Sequence, residues 1–246
     1  MLQRDVAPGV HRIEHAFTNF YLVQDGTAIT VVDCGFPRSW ARLATAMTEL
    51  GRSPRDIEAI VLTHAHPDHV GFAERARTEL GVRVWLHERD VTLSRHPFRY
   101  ETERSVAGYL FGRDLWRAAA AMGAAGALLT KPIGEVRAFD DEPELDVPGG
   151  LVPLLTPGHT HGHTAFYVPG ADAVIAGDAL ATHNPYTGGH GPQIISAAAN
   201  VDSMQAIASL ARIADTNAAV VLPGHGGPWT AGAADAVERA RAAGPS

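Results

Sequence analysis

The string Thr63-His64-Ala65-His66-Pro67-Asp68-His69 follows directly on the apolar run Ala59-Ile60-Val61-Leu62. That run reads as a short, continuously buried strand. Three imidazoles and a carboxylate therefore gather at its end, where polar groups without partners are costly to bury. Composition does not account for the coincidence. With 13 histidines in 246 residues, a His-x-His-x-Asp-His string arises by chance in about 2 of 1000 such chains. His64 and His66 alternate in an extended segment and project to the same side. Pro67 helps start a helix that turns Asp68 and His69 back toward them. One loop thereby presents two adjacent sets of ligands.

The same arrangement recurs along the chain. "TPGHTHGHT" carries His159, "AGDAL" carries Asp178, "LPGHG" carries His225 and "VVDCG" carries Asp33, each after an apolar, strand-like run. Strand ends in layered α/β folds share an edge, so these loops can converge. His64, His66, Asp68, His69, His159, Asp178 and His225 supply seven donors for two divalent ions of about four or five ligands each. Asp178, alone between Gly177 and Ala179, is the natural bridge. A shared carboxylate holds two ions about 3.5–4 Å apart. Cys34 is the only cysteine, so an internal disulfide is excluded and ligation must rest on histidine and carboxylate.

Periodicity places these loops among strands and helices. "GVHRIEHAFTNFYLVQDGTAITVVDCG" reads as antiparallel strands turning at Asp25-Gly26. "PRSWARLATAMTELG" reads as an amphipathic helix with Trp40, Leu43, Ala44, Met47 and Leu50 on one face. "IEAIVLT", "VRVWLH", "GLVPLLT", "TAFYVPG", "DAVIAGD" and "AAVVLPG" are short strands. "GFAERARTELG", "ERDVTLS", "NVDSMQAIASLARIADT" and a terminal segment from about Thr230 to Ala243 are helical. Each half is strands then helices, which suits sheets packed face to face with helices outside, in one domain over residues 1–246. Residues 96–131, aromatic, Gly-punctuated and Ala-rich, interrupt the alternation as a helical insertion. Tyr109, Leu110, Phe111, Leu115, Trp116 and Met122 are expected to form a lid over the cleft, or else to pack on the core or a second copy.

Composition narrows the partners. A net charge of −7 without a Lys/Arg run argues against a nucleic-acid surface. No stretch reaches the apolar length of a spanning helix, and the N-terminal segment lacks the apolar core of a signal peptide. The expectation is a cytoplasmic protein acting on a small molecule, without membrane or nucleic-acid partners, with a homodimer left open.

Taken in order, Asp33, "HAHPDH", "TPGHT", "GD" and "PGHG" resemble the motifs of metallo-β-lactamase-fold hydrolases of the glyoxalase II and lactonase kind. The resemblance implies an α/β (α+β) fold, a four-layer αββα sandwich, with a dinuclear metal site. It implies that His64, His66 and His159 bind one metal, Asp68, His69 and His225 the other, and Asp178 both. Asp33 would lie behind the ligands and accept a hydrogen bond near them, with turn capping as its plainer reading. The implied chemistry is a metal-bridging hydroxide attacking a small ester, lactone or thioester. Two divalent ions are implied, Zn2+ first, with Mn2+, Fe2+ or Ni2+ suiting the same ligands. Asp68 and Asp33 would support that chemistry, and Tyr186 or water would protonate the leaving group. Lactone-opening relatives place a Tyr just past the bridging Asp, whereas Tyr186 is farther on. Asp178 occupies the bridge position that true β-lactamases of this fold typically lack. The helical domain that follows His225 in glyoxalase II and the basic arm of the RNA-processing relatives are not seen in this sequence. The flavoprotein relatives carry Glu where His66 stands. Two alternatives stay open: a mononuclear iron persulfide dioxygenase on the same fold, and a non-catalytic metal-stabilised binding protein. His161 and His163 read as structural or supporting residues, and His87, His96, His183 and His190 as ordinary ones.

Overall fold

Strands β1 (Leu2–Ala7), β2 (Val10–His15), β3 (Thr18–Asp25) and β4 (Ala28–Val32) form an antiparallel meander. The β3–β4 turn holds Gly26 at φ +59°, as a tight hairpin requires. The chain then crosses through α1 (Trp40–Glu49) to β5 (Ile57–Val61) and through α2 (Ala73–Leu80) to β6 (Arg83–His87). From β6 it runs through α3 (Val91–Arg95) and α4 (Arg113–Ala124) to β7 (Arg137–Phe139). The seven strands lie in chain order, with β4 to β7 parallel. The computed structural model describes residues 1–140 and 142–246.

The second half builds β8 (Val152–Leu155), β9 (Thr164–Val168) and β10 (Ala173–Gly177), then a small hairpin of β11 (Ala181–His183) and β12 (His190–Gln193). Helices α5 (Ser203–Ser209) and α6 (Ala211–Ala214) lead to β13 (Val220–Pro223) and the terminal α7 (Ala233–Ala243). The second sheet has the order β13-β10-β9-β8, with β10 and β13 parallel.

Strand alternation explains the layering. Phe20 and Leu22 of β3 pack with Met47 of α1 and Ala76 of α2 on the outer face of the first sheet. Tyr21 and Val23 turn the other way and meet Phe166, Val168, Ile175 and Leu222 of the second sheet. The far face of that sheet, with Val174 and Val221, is covered by Leu210, Ile213, Ala236 and Val237. Full burial of a side chain such as Phe20 or Phe166 contributes roughly 2–3 kcal/mol. The layers run helix, sheet, sheet, helix, as expected. One detail differs. Helix α1 buries Leu43, Ala46 and Met47, and Ala44 faces solvent.

This topology decides where the polar loops fall. Strands β4, β5 and β6 are parallel, so the segments after them leave one edge of the first sheet. In the second sheet β8, β10 and β13 share a direction because β9 is antiparallel to both its neighbours. The segments after β8, β10 and β13 leave the corresponding edge. The inserted segment is tied to both flanks of that edge. Glu103 N–H donates to Asn200 O at 2.7 Å, and Thr130 Oγ1 donates to Pro67 O at 3.2 Å. Among the described residues no helix is long and apolar enough to cross a membrane.

Candidate metal centre

Each strand end delivers its side chain to one buried cluster. His64, His66 and His159 present donor atoms within 4.8 Å of one another, as do His64, His69 and Asp178, and Asp68, His69 and His225. The Asp178 carboxylate touches all three groups. Its Oδ1 lies 3.4 Å from His69 Nε2, and its Oδ2 lies 3.1 Å from His225 Nε2 and 3.5 Å from His159 Nε2. Asp68 Oδ2 lies 3.7 Å from His69 Nε2 and 3.5 Å from His225 Nε2. Glycines make the approach possible. A Cβ at Gly224 would collide with Asp178 Oδ1, and one at Gly158 with the backbone of Ala206.

The outer nitrogens of the rings fix which atom faces inward. His69 Nδ1–H donates to Asp33 Oδ2 at 2.9 Å, His159 Nδ1–H to Asn200 Oδ1 at 2.9 Å, and His225 Nδ1–H to the carbonyl of Phe17 at 2.8 Å. The Thr63 hydroxyl donates to Asp33 Oδ2 at 2.9 Å, so it accepts from His64 Nδ1–H at 2.9 Å. Such partners set the tautomer and raise the basicity of the inward nitrogen. Asp33 also accepts from Thr63 N–H at 2.8 Å. It thus serves His69 directly and His64 through one hydroxyl, from a backbone at φ +64°.

The inward atoms carry the test of whether a metal fits. Among the described residues, Nε2 of His64, His66, His69 and His159 and Oδ1 of Asp178 are buried without a hydrogen-bond partner. Orphaned buried polar atoms are rare because each forfeits its solvation. Five that face one another fit the donor set of an ion. Burial first, then the neighbouring imidazoles, hold His64 and His66 well below the ordinary histidine range, so both are neutral donors. Burial opposes charge on His69 and His225 as well. There the carboxylates of Asp178 and Asp68 outweigh it and raise both, while burial of Asp178 is outweighed by those two rings, which keep it ionised. Cys34 is buried, its backbone N–H donating to His69 O at 2.7 Å. Neutral imidazole with carboxylate suits zinc, iron, manganese or nickel. The residues present fit a divalent metal.

A model of the metallo-beta-lactamase superfamily matches residues 14–225. The chain belongs to that superfamily. Its similarity to superfamily relatives extends over most of its length. It is 25% identical over 248 residues to the probable metallo-hydrolase YflN of Bacillus subtilis (strain 168), covering 92% of this chain and 87% of that one. Among solved structures it is similar to the metallo-beta-lactamase family protein TTHA1429 from Thermus thermophilus. There the TM-score is 0.68 at 29% identity, over 96% of this chain and 79% of that chain. TTHA1623, solved in a di-iron-bound form, matches with a TM-score of 0.59 at 28% identity, over 89% of this chain and 93% of that chain. As a member of the metallo-beta-lactamase superfamily the chain is a metal-dependent hydrolase in its general class.

Asp90, Asn200 and Tyr100 support the site in this superfamily member without a signal in the sequence, whereas His163 and His161 were expected to be structural or supporting. Asp90, buried after β6, accepts from Ala65 N–H at 3.2 Å, Thr160 Oγ1–H at 2.7 Å and Gly162 N–H at 2.8 Å. It clamps the His64–His66 loop to the His159 loop, and burial raises its carboxyl against those three donors. Asn200, which orients His159, is itself held by donating to Ile195 O at 2.7 Å. Tyr100 lays its ring 4.6 Å from that of His66. His163 accepts from the backbone N–H of Asp178 through Nε2 at 3.0 Å, with its Nδ1–H on Thr156 Oγ1 at 2.9 Å. His161 is largely exposed and sits 3.7 Å from Glu101.

Two further expectations concern Tyr186 and the inserted segment. Tyr186 is half-buried against Tyr109, with ring centroids 5.7 Å apart. Burial, then the neighbouring Tyr100 and Asp68, hold its hydroxyl above the ordinary range. The six lid residues do not turn inward as a set. Phe111 is 98% exposed and Trp116 60%, and Trp116 spends its indole N–H on Leu110 O. The earlier part of the insertion, around Tyr100, is what meets the cluster. The reason is tethering: Glu103 and Arg104 are pinned to the backbone of residues 197–200, whereas the outer face of α4 has no sheet beneath it.

Proposed function

We propose that the cluster holds two divalent cations, Zn2+ foremost, and that the protein hydrolyses a small ester, lactone or thioester. The observation that carries this reading is the set of five buried, partnerless donor atoms facing one another across Asp178. His64, His66 and His159 would hold one ion and Asp68, His69 and His225 the other, with Asp178 shared. Bound there, the ions supply acidified water and Lewis-acid polarisation of a carbonyl. The chain's own residues do the rest. Asp33, Thr63 and Asn200 lock the inward tautomers, which preorganises the site before substrate arrives. Asp68, with 19% of its side chain exposed, is the carboxylate of the set that reaches solvent, and Thr18 Oγ1 donates to its Oδ2 at 3.3 Å. Tyr186, or water, would protonate the leaving group; burial first keeps the Tyr186 hydroxyl protonated at neutral pH.

The test is a hydrolysis screen of aryl esters, lactones and thioesters with metal-loaded protein, beside His66→Ala and Asp178→Ala. Turnover that disappears on chelation and in both variants is the expected result. Hydrolysis by metal-free protein would overturn the reading. One iron per chain with oxygen uptake on a persulfide would replace it with the dioxygenase alternative, and bound metal without turnover on any substrate with a binding role.

A further inference from the structure

Beside His66 the structure opens a cavity of about 310 Å³ that the metal cluster does not fill. Leu93, Tyr100 and Val201 give it an apolar wall, and Arg89 and Arg99 stand on its rim. Both arginines are exposed. Among the described residues neither guanidinium has an ion pair or a side-chain hydrogen bond, in contrast to Arg12, Arg75, Arg77 and Arg239, which are paired with carboxylates. Two guanidiniums without a carboxylate partner thus line one cavity beside the cluster. The nearest acidic group on the rim is Glu101, which lies 3.7 Å from His161. Asp90 also borders the cavity, but its oxygens are committed to Ala65, Thr160 and Gly162. Those hydrogen bonds leave the charge of Asp90 in place, so a carboxylate is recognised here by the two unpaired guanidiniums and not by the net charge of the lining. Guanidinium groups bind carboxylate through paired N–H donors.

We propose that this cavity selects an amphipathic, carboxylate-bearing substrate. Its carboxylate is held by Arg89 and Arg99, its aliphatic or aromatic portion lies against Leu93, Tyr100 and Val201, and its scissile carbonyl is delivered to the His66 side of the cluster. The proposal rests on the hydrolase reading for the word substrate, though not for the binding itself. It is therefore tested first by binding. Calorimetry compares 4-phenylbutyrate with 4-phenylbutan-1-ol, which has the same shape without the charge, on zinc-loaded and on chelated protein. The acid is expected to bind about tenfold more tightly than the alcohol in both forms. The Arg89→Met/Arg99→Met double variant, altered at two exposed side chains, is expected to erase that preference. Equal binding of acid and alcohol by the wild type overturns the proposal. So does a preference that survives the double substitution, or one that vanishes with the metal, because the carboxylate is then on the ions. A kinetic arm compares phenyl hydrogen glutarate with phenyl butyrate. The ratio of their kcat/KM values should fall about tenfold in the double variant while kcat/KM for the butyrate holds. Absence of turnover with either ester counts against the hydrolase reading alone and leaves the binding result standing.

Discussion

His163 illustrates how a residue can serve the site without facing it. Its ring accepts the Asp178 N–H and gives its own proton to Thr156, so only the neutral form fits. Burial is the main reason that its pKa falls from 6.5 to about 3. The unfolded chain takes up this proton below pH 6.5 and the folded chain does not. The contribution is thus complete above pH 6.5 and is lost as pH falls toward 3. By pH 4 the loss is roughly 3 kcal/mol. His163→Gln keeps an acceptor for Asp178 N–H and does not titrate. Urea unfolding of both metal-free proteins at pH 7 and pH 4 should show the wild type losing more stability than the variant by about that amount, and parallel losses would contradict the assignment. At this scale the residues that gather in the cluster were legible in the sequence because they follow apolar runs at strand ends, four of them in one string. Asn200 and Asp90 were not, because a single Asn or Asp far from the motif carries no local signal until the fold brings it to a histidine loop. Tyr100 likewise gained its place beside His66 only through tertiary contact.

The elements owe their positions to alternation and their junctions to a few polar clamps. Strands with apolar or alternating sequence, from β3 through β6 and from β8 through β10, were readable from pattern. Strand β1, with mostly exposed residues, and β7, with three residues, were not. Such strands exist through pairing with a neighbour and lack a pattern of their own. The β11–β12 hairpin is also too short to register. The insertion was legible as a break in rhythm, but its orientation was not, because apolar content alone does not say which face finds a partner. The clamp with the sharpest consequence is Asp90, whose carboxylate ties the segment after β5 to the segment between β8 and β9. Asp90→Asn places an N–H2 against one of three donors. The cost of an unmatched buried donor is about 1–3 kcal/mol. His66 and His159 lie on the two clamped segments, whereas Asp68, His69 and His225 are held by other contacts. Stepwise zinc titration followed by calorimetry should therefore show one binding step weakened about tenfold or more with the other preserved. Equal weakening of both steps would indicate general loosening in place of a positioning role.

Over the whole molecule, the two sheets meet so that candidate ligands from the first, His64, His66, Asp68 and His69, face candidate ligands from the second, His159, Asp178 and His225. The cluster therefore sits on the seam between layers, with its histidines and Asp178 buried and Asp68 partly open to solvent. An ion that binds only the folded chain stabilises it in proportion to the logarithm of its excess over Kd, and here it would also link the two sheets. If the seam holds two divalent cations sharing Asp178, native mass spectrometry after zinc loading counts them directly. Two ions are expected on each wild-type chain and fewer than two on Asp178→Ala. One ion on the wild type, none, or an unchanged count of two in the variant would contradict the dinuclear reading.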